Sequence, residues 1–130
     1  MVAEILAFNK SIENTEHKEV CELLYAEIVK VLGSDTCKIW HAIPVWFVKE
    51  NPVVGYNLTA NKGVNLLFWS GHAFSEPGLT PEGSFKAAEI KYQNVSDIDI
   101  EKLRKWLEEA KVKIYNYKDI RKNRGTLSLI

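Results

Sequence analysis

The chain has 130 residues, 46% of them hydrophobic and 26% charged, and its seventeen basic side chains are cancelled by seventeen acidic ones. That length suits one core rather than two, the composition excludes a disordered or fibrous chain, and zero net charge removes the usual electrostatic ground for a nucleic-acid or anionic-membrane partner. Cys21 and Cys37, without a CxxC spacing or further cysteines, build no zinc site and read as small buried hydrophobes.

The opening MVAEILAFNK sets Glu4 beside a short apolar run with no small-residue cleavage site, so it does not read as a secretory signal. No window reaches the roughly 20 apolar residues of a transmembrane helix, and the expected location is the cytoplasm. Ile5-Leu6-Ala7-Phe8 is expected to pack as one or two helical turns. Asn14 or Thr15 can cap a longer helix to about Leu32, because their side-chain oxygens accept the free amide hydrogens of a first turn. Val20, Leu24, Ile28 and Val31 recur at three- and four-residue steps and give that helix one core-facing stripe. Glu19 and Glu22 fall opposite, Glu16 and Glu27 along a flank, and Gly33 is the expected stop.

Lys38 to Ser70 carries three of the four tryptophans, and its Val, Ile, Trp, Phe and Tyr runs between turn signals read as consecutive short strands. The expected strands are Lys38–Ala42, Val45–Lys49, Val53–Thr59 and Val64–Trp69. Pro44 ends or bends the first, and Glu50-Asn51-Pro52 and Asn61-Lys62-Gly63 supply turns. Ser70 to Gly83 holds five Gly or Pro residues and is expected to be a loop. Phe85–Tyr92 reads as a fifth strand. Ser96 or Asp97 is expected to cap a last helix with an apolar stripe of Ile100, Leu103, Leu107, Ala110 and Ile114, which Trp106 adjoins. The order implies an α+β domain spanning 1–130: a five-stranded antiparallel sheet with the N- and C-terminal helices packed on one face. A sheet with one wet face alternates apolar and polar residues. Here Trp46 opposes Val45 and Phe47, while Leu67 and Trp69 oppose Val64, Leu66 and Phe68, so part of the second face is also apolar.

The segments KIWHAIPVWF, NPVVGY, LLFWSG, EPGL, DIEKLRKWL and YNYKDIRKNRG resemble the YdhG-like family of small bacterial proteins, a domain of unknown function grouped with frataxin-like iron chaperones. The resemblance spans nearly the whole chain and is weakest before Glu16. It implies a frataxin-like helix–sheet–helix sandwich that binds iron weakly through carboxylates of the first long helix. It also implies delivery of that iron to iron–sulfur cluster or haem assembly proteins, which meet the open sheet face. The carboxylates so implicated are Glu13, Glu16, Glu19 and Glu22, with Asp35 beside them.

Oxygen ligands suit iron, and glutamates three apart lie side by side on a helix. The plainer reading is that these acids solvate the helix and favour its dipole. Trp40, His41, Trp46, Trp69 and His72, with Glu76, form a second candidate: an aromatic pocket in which two imidazoles ligate a metal or bind a small ligand. Its plainer reading is two structural or surface histidines. His17 reads as helix surface. The loop from Gly71 to Gly83 lacks a phosphate-binding glycine pattern, and the basic group Lys118, Arg121, Lys122 and Arg124 reads as a solvated tail. No nucleophile with an acid–base partner is visible, since WSGHA lacks the GxSxG elbow. The expectation is therefore a non-enzymatic protein, monomeric or weakly homodimeric. Its expected work is iron delivery, or alternatively small-molecule or protein binding through an aromatic pocket on the sheet.

Overall fold

A computed structural model describes residues 2–60 and 63–130. Its described elements are three α-helices and a six-stranded antiparallel sheet, which makes the fold α+β. In chain order they are α1 (Val2–Lys10), α2 (Thr15–Leu32), β1 (Cys37–Trp40), β2 (Ile43–Val48), β3 (Asn51–Thr59), β4 (Gly63–Phe68), β5 (Thr80–Pro81), β6 (Ala88–Tyr92) and α3 (Ile100–Val112). The sheet order is β1-β2-β3-β4-β6-β5, so the first four strands form a meander.

Asn14 caps α2: its Oδ1 accepts the amide of His17 at 3.0 Å, and Gly33 closes the other end at a φ of 78°. The last helix starts later than Ser96 or Asp97 would set it. Asn94 and Asp97 cap each other across a 3₁₀ turn, Val95–Asp97, so the cap of α3 passes to Asp99, whose Oδ1 accepts the Lys102 amide at 3.1 Å. The first strand ends at Trp40 rather than Ala42, because His41 and Ala42 both take positive φ, 51° and 69°, in a two-residue hairpin turn. Lys49 and Glu50 do the same at 50° and 67°, which places Asn51 and Pro52 in β3 rather than in the turn. Both are turns of the type that favours Asn-Gly, and each non-glycine residue there carries a backbone cost. Of the hairpin signal at Asn61-Lys62-Gly63, the first two residues lie outside the described ones, and Gly63 opens β4 at a φ of 84°.

The expected fifth strand shortens to Ala88–Tyr92, and the loop before it contributes the extra strand β5. That addition arises because the Gly/Pro-rich segment folds back on β6, with the Glu82 amide donating to the Ala87 carbonyl at 2.9 Å. Two residues are too few for a period to show. The same loop is latched to α3. Glu109 accepts the amides of Ser75 and Glu76 at 2.7 and 2.9 Å, and Trp106 Nε1 donates to the Glu76 carbonyl at 3.1 Å.

All three helices lie on one face of the sheet. Registers Val54↔Phe68, Tyr56↔Leu66, Val64↔Tyr92 and Phe68↔Ala88 align the residues that meet them. Fully buried there are Trp46, Tyr56, Leu66, Phe68 and Trp106, packed with Val20, Leu24 and Ile28 of α2 and Leu103 and Leu107 of α3. Tyr56 donates its hydroxyl to Asn9 Oδ1 at 2.8 Å, which satisfies two buried polar groups and ties α1 to the sheet. A register shift between β2 and β3 leaves Val53 and Val54 both in the helix-side core. Between the helices, Glu27 is a buried carboxylate held by Arg104 at 2.8 Å. That hydrogen bond keeps its carboxyl below the usual carboxylate range.

Candidate functional site: the uncovered face of the sheet

The second face carries no helix. Residues paired across it share its side: Lys38 with Val45, Trp40 with Ile43, Gly55 with Leu67, Asn57 with Asn65, Leu67 with Glu89. Its centre is aromatic. Trp40 lies 5.4 Å from Phe47, edge to face, and 6.1 Å from Trp69, with all three rings half-buried. Gly55 is the reason the cluster can form. A Cβ there would stand 2.7 Å from the Pro44 carbonyl oxygen and 3.2 Å from the Trp69 ring, so the missing side chain seats that indole against the strand. Lys38 Nζ lies 5.0 Å from the centre of the Phe47 ring, a cation–π contact. Toward β6 the face turns polar, where Glu89 accepts from Asn65 Nδ2 at 3.1 Å and pairs with Lys91.

The structure does not assemble the five-residue pocket read from the sequence. Trp46 lies on the helix side, fully buried between Tyr25 and Tyr56 at 6.0 Å from each, with its Nε1 donating to the Gly33 carbonyl at 3.1 Å. Trp40, His41 and Trp69 do come together, with the His41 ring 4.3 Å from Trp40. His72 does not join them. It sits in the 3₁₀ turn Gly71–Ala73 beyond the end of β4, whereas His41 occupies the β1–β2 turn. In a meander those two positions are at opposite ends of the sheet. Glu76 faces α3 instead, paired with Lys102 at 3.1 Å. Phe47 and Gly55 were not among the candidates, although a glycine inside the strand run VVGY is the usual mark of close approach.

The four glutamates also divide. Glu16 and Glu19 line a hollow of about 380 Å³ with Asn94, Val95 and Ser96. Glu22 lines a separate groove between α1 and α2 with Leu6, Asn9 and Tyr25, and Glu13 is exposed ahead of α2. Asp35 lies with Cys37, Lys38 and Phe47 at the β1 margin. Among the described residues no group of three or more His, Cys, Asp or Glu side chains is placed to hold a metal ion. Of the oxygens around that hollow, Asn94 Oδ1 is already engaged, accepting from the Ser96 amide at 3.0 Å and from the Ser96 hydroxyl. The thiols are inert in character: burial pushes Cys21 up to about 12 and raises Cys37 as well.

The basic tail is built into the fold rather than trailing from it. Tyr117 donates its hydroxyl to the Trp69 carbonyl at 2.6 Å, and the Lys118 amide donates to Asn51 Oδ1 at 2.8 Å. Asn51 is fully buried and also donates to the Lys49 carbonyl, so one side chain fixes both the β2–β3 turn and the tail. What the fold and site define is an α+β protein whose antiparallel sheet has helices on one face and none on the other, the latter centred on Trp40, Phe47 and Trp69. Compared with family models, curated proteins and solved structures, the chain finds no match. No helix among the described residues is long and apolar enough to cross a membrane.

Proposed function

We propose that this chain is a non-enzymatic binding module that works through the uncovered face of its sheet. The supporting observation is the half-buried cluster of Trp40, Phe47 and Trp69 seated over Gly55, on the side opposite all three helices. Clustered aromatic rings that stay partly exposed on a sheet face without a helix suit a recognition surface. Bis-ANS, a dye that fluoresces on apolar surfaces, is expected to bind the native protein saturably. The Trp40→Ala, Trp69→Ala double variant is expected to lose that signal while keeping its circular dichroism. An unchanged signal in that variant refutes this reading.

A second reading is favoured by the hollow at Glu16 and Glu19. Together with the resemblance to frataxin-like proteins it makes the chain a cytoplasmic iron chaperone, with ferrous iron as cargo for iron–sulfur cluster or haem assembly proteins. In that reading Glu16 and Glu19 present the ion weakly, and Glu13 and Glu22 stand apart from the site. Anaerobic calorimetric titration with ferrous iron is expected to show weak binding that disappears in Glu16→Gln, Glu19→Gln. Wild-type protein that takes up no iron, or a double variant that binds as before, would end it.

A further inference from the structure

The charges of this chain cancel in sum but not in space. Residues 1–36 and 93–112, the helices and their connections, carry twelve acidic and seven basic side chains. Residues 37–92 and 113–130, the sheet with its loops and the C-terminal segment, carry five acidic and ten basic. Among the described residues the helical layer is thus net negative by five charges and the remainder net positive by four, Lys62 lying outside them. A potential set by this segregation acts on a partner at the surface, where the sum over the chain does not.

The positive part is also the one with the aromatic face. The C-terminal segment is an ordered loop, closed at its base by the Asn116 amide donating to the Ser128 carbonyl at 2.8 Å and the Ile130 amide to the Ile114 carbonyl at 2.9 Å. Its contacts with the Trp69 carbonyl and with Asn51 hold exposed Lys118, Arg121, Lys122 and Arg124 at the end of the sheet where β4 finishes. Lys38 lies over Phe47, and Lys86 lies 5.8 Å from the centre of the Tyr115 ring. Of the acids near the face, Glu89 is matched by Lys91 and Glu50 by Lys118 at 3.3 Å, while Asp35 lies beside Lys38 and Phe47.

We propose that the uncovered sheet face binds single-stranded nucleic acid, with bases stacking on Trp69 and Trp40 and phosphates meeting Lys38, Lys86 and the loop from Lys118 to Arg124. The inference rests on reading that face as a binding surface. A ring of cations alone would suit any acidic polymer. Clustered aromatic rings add stacking, which every base offers through its π-face and a carboxylate chain lacks. Unpaired strands follow as the class, because bases inside a duplex hide those faces.

The test is fluorescence anisotropy on the full chain with three labelled probes: twelve-nucleotide poly(U), twelve-nucleotide poly(dT) and a twelve-residue poly-Glu peptide. Both oligonucleotides are expected to bind at least tenfold tighter than poly-Glu, to quench tryptophan emission, and to weaken steeply as salt rises. Trp69→Ala is expected to cut oligonucleotide affinity about tenfold. Trp40→Ala, which removes the ring lying against both Phe47 and Trp69, provides the same check where Trp69→Ala disturbs folding. Reversing Lys118, Arg121, Lys122 and Arg124 to Glu is expected to abolish binding and flatten the salt dependence. Absent oligonucleotide binding overturns the inference, and so does poly-Glu binding of equal strength, which would mark an acidic protein surface as the occupant. Wild-type affinity in both the aromatic and the charge-reversal variants overturns it too. If bis-ANS still reports the face while oligonucleotides fail, only the nucleic-acid inference falls. If both fail, the face itself is not a site.

Discussion

Trp46→Ala is expected to lose about 3–5 kcal/mol of unfolding free energy, measured by urea denaturation, the usual range for emptying a large aromatic site in a core. Trp46 has no exposed surface and touches both Tyr25 of α2 and Tyr56 of β3. Removing the indole therefore opens a cavity at the point where the second helix meets the sheet. The change also strands the Gly33 carbonyl, which accepts from Nε1 at 3.1 Å just after the end of α2. Trp46→Phe, which fills most of the volume without that donor, is expected to fall between wild type and Ala. A loss below about 1 kcal/mol for Trp46→Ala would mean that the ring is not packed as the structure has it. Set beside the Trp40 and Trp69 variants, these separate the two faces: Trp46 should govern stability, and Trp40 and Trp69 should govern binding.

Gly55→Ala is expected to cost about 1–3 kcal/mol, the range for overpacking a site with little room to yield. The new methyl would lie 2.7 Å from a backbone oxygen of the neighbouring strand and 3.1 Å from a Val45 methyl. Backbone in a paired strand moves far less readily than the end of a side chain. The Trp69 ring is the movable neighbour, so it should lift into water, with its fluorescence shifting to longer wavelength. Gly33→Ala provides a contrast. Nothing lies within 4 Å of a Cβ built there, and its cost is backbone strain alone at a φ of 78°. A Gly55→Ala protein with wild-type stability and unshifted emission would show that Trp69 does not rest on that strand.

Much of this architecture was legible residue by residue. The stripe Val20, Leu24, Ile28 predicted the buried side of α2, and Asn14 and Gly33 predicted its ends, because capping is decided within a few residues of the chain. The meander followed from turn signals between short β-rich runs. What went astray was local competition of near-equal choices. His41-Ala42 and Lys49-Glu50 do not look like tight hairpin turns, since neither supplies the glycine or asparagine that positive φ favours. Those turns form because the strand pairs on either side impose them. The start of α3 moved for a similar reason, with Asn94 and Asp97 satisfying each other and leaving the cap to Asp99.

The candidate site was legible only in part. Broken alternation at Leu67 and Trp69 marked an apolar second face, because side chains on a strand alternate whatever the rest of the chain does. It also drew in Trp46, since a period of two says which residues share a side but not which side a helix will cover. By itself, then, the sequence determined most of the elements, both ends of α2 and that the sheet has two apolar sides. Those properties depend on neighbours along the chain. Tertiary structure alone decided that Trp46 belongs to the covered side, that His41 and His72 lie at opposite ends of the sheet, and that Glu16 and Glu19 part from Glu22. Each is a relation between residues far apart in the chain, fixed only when three helices commit to one face and leave the other open.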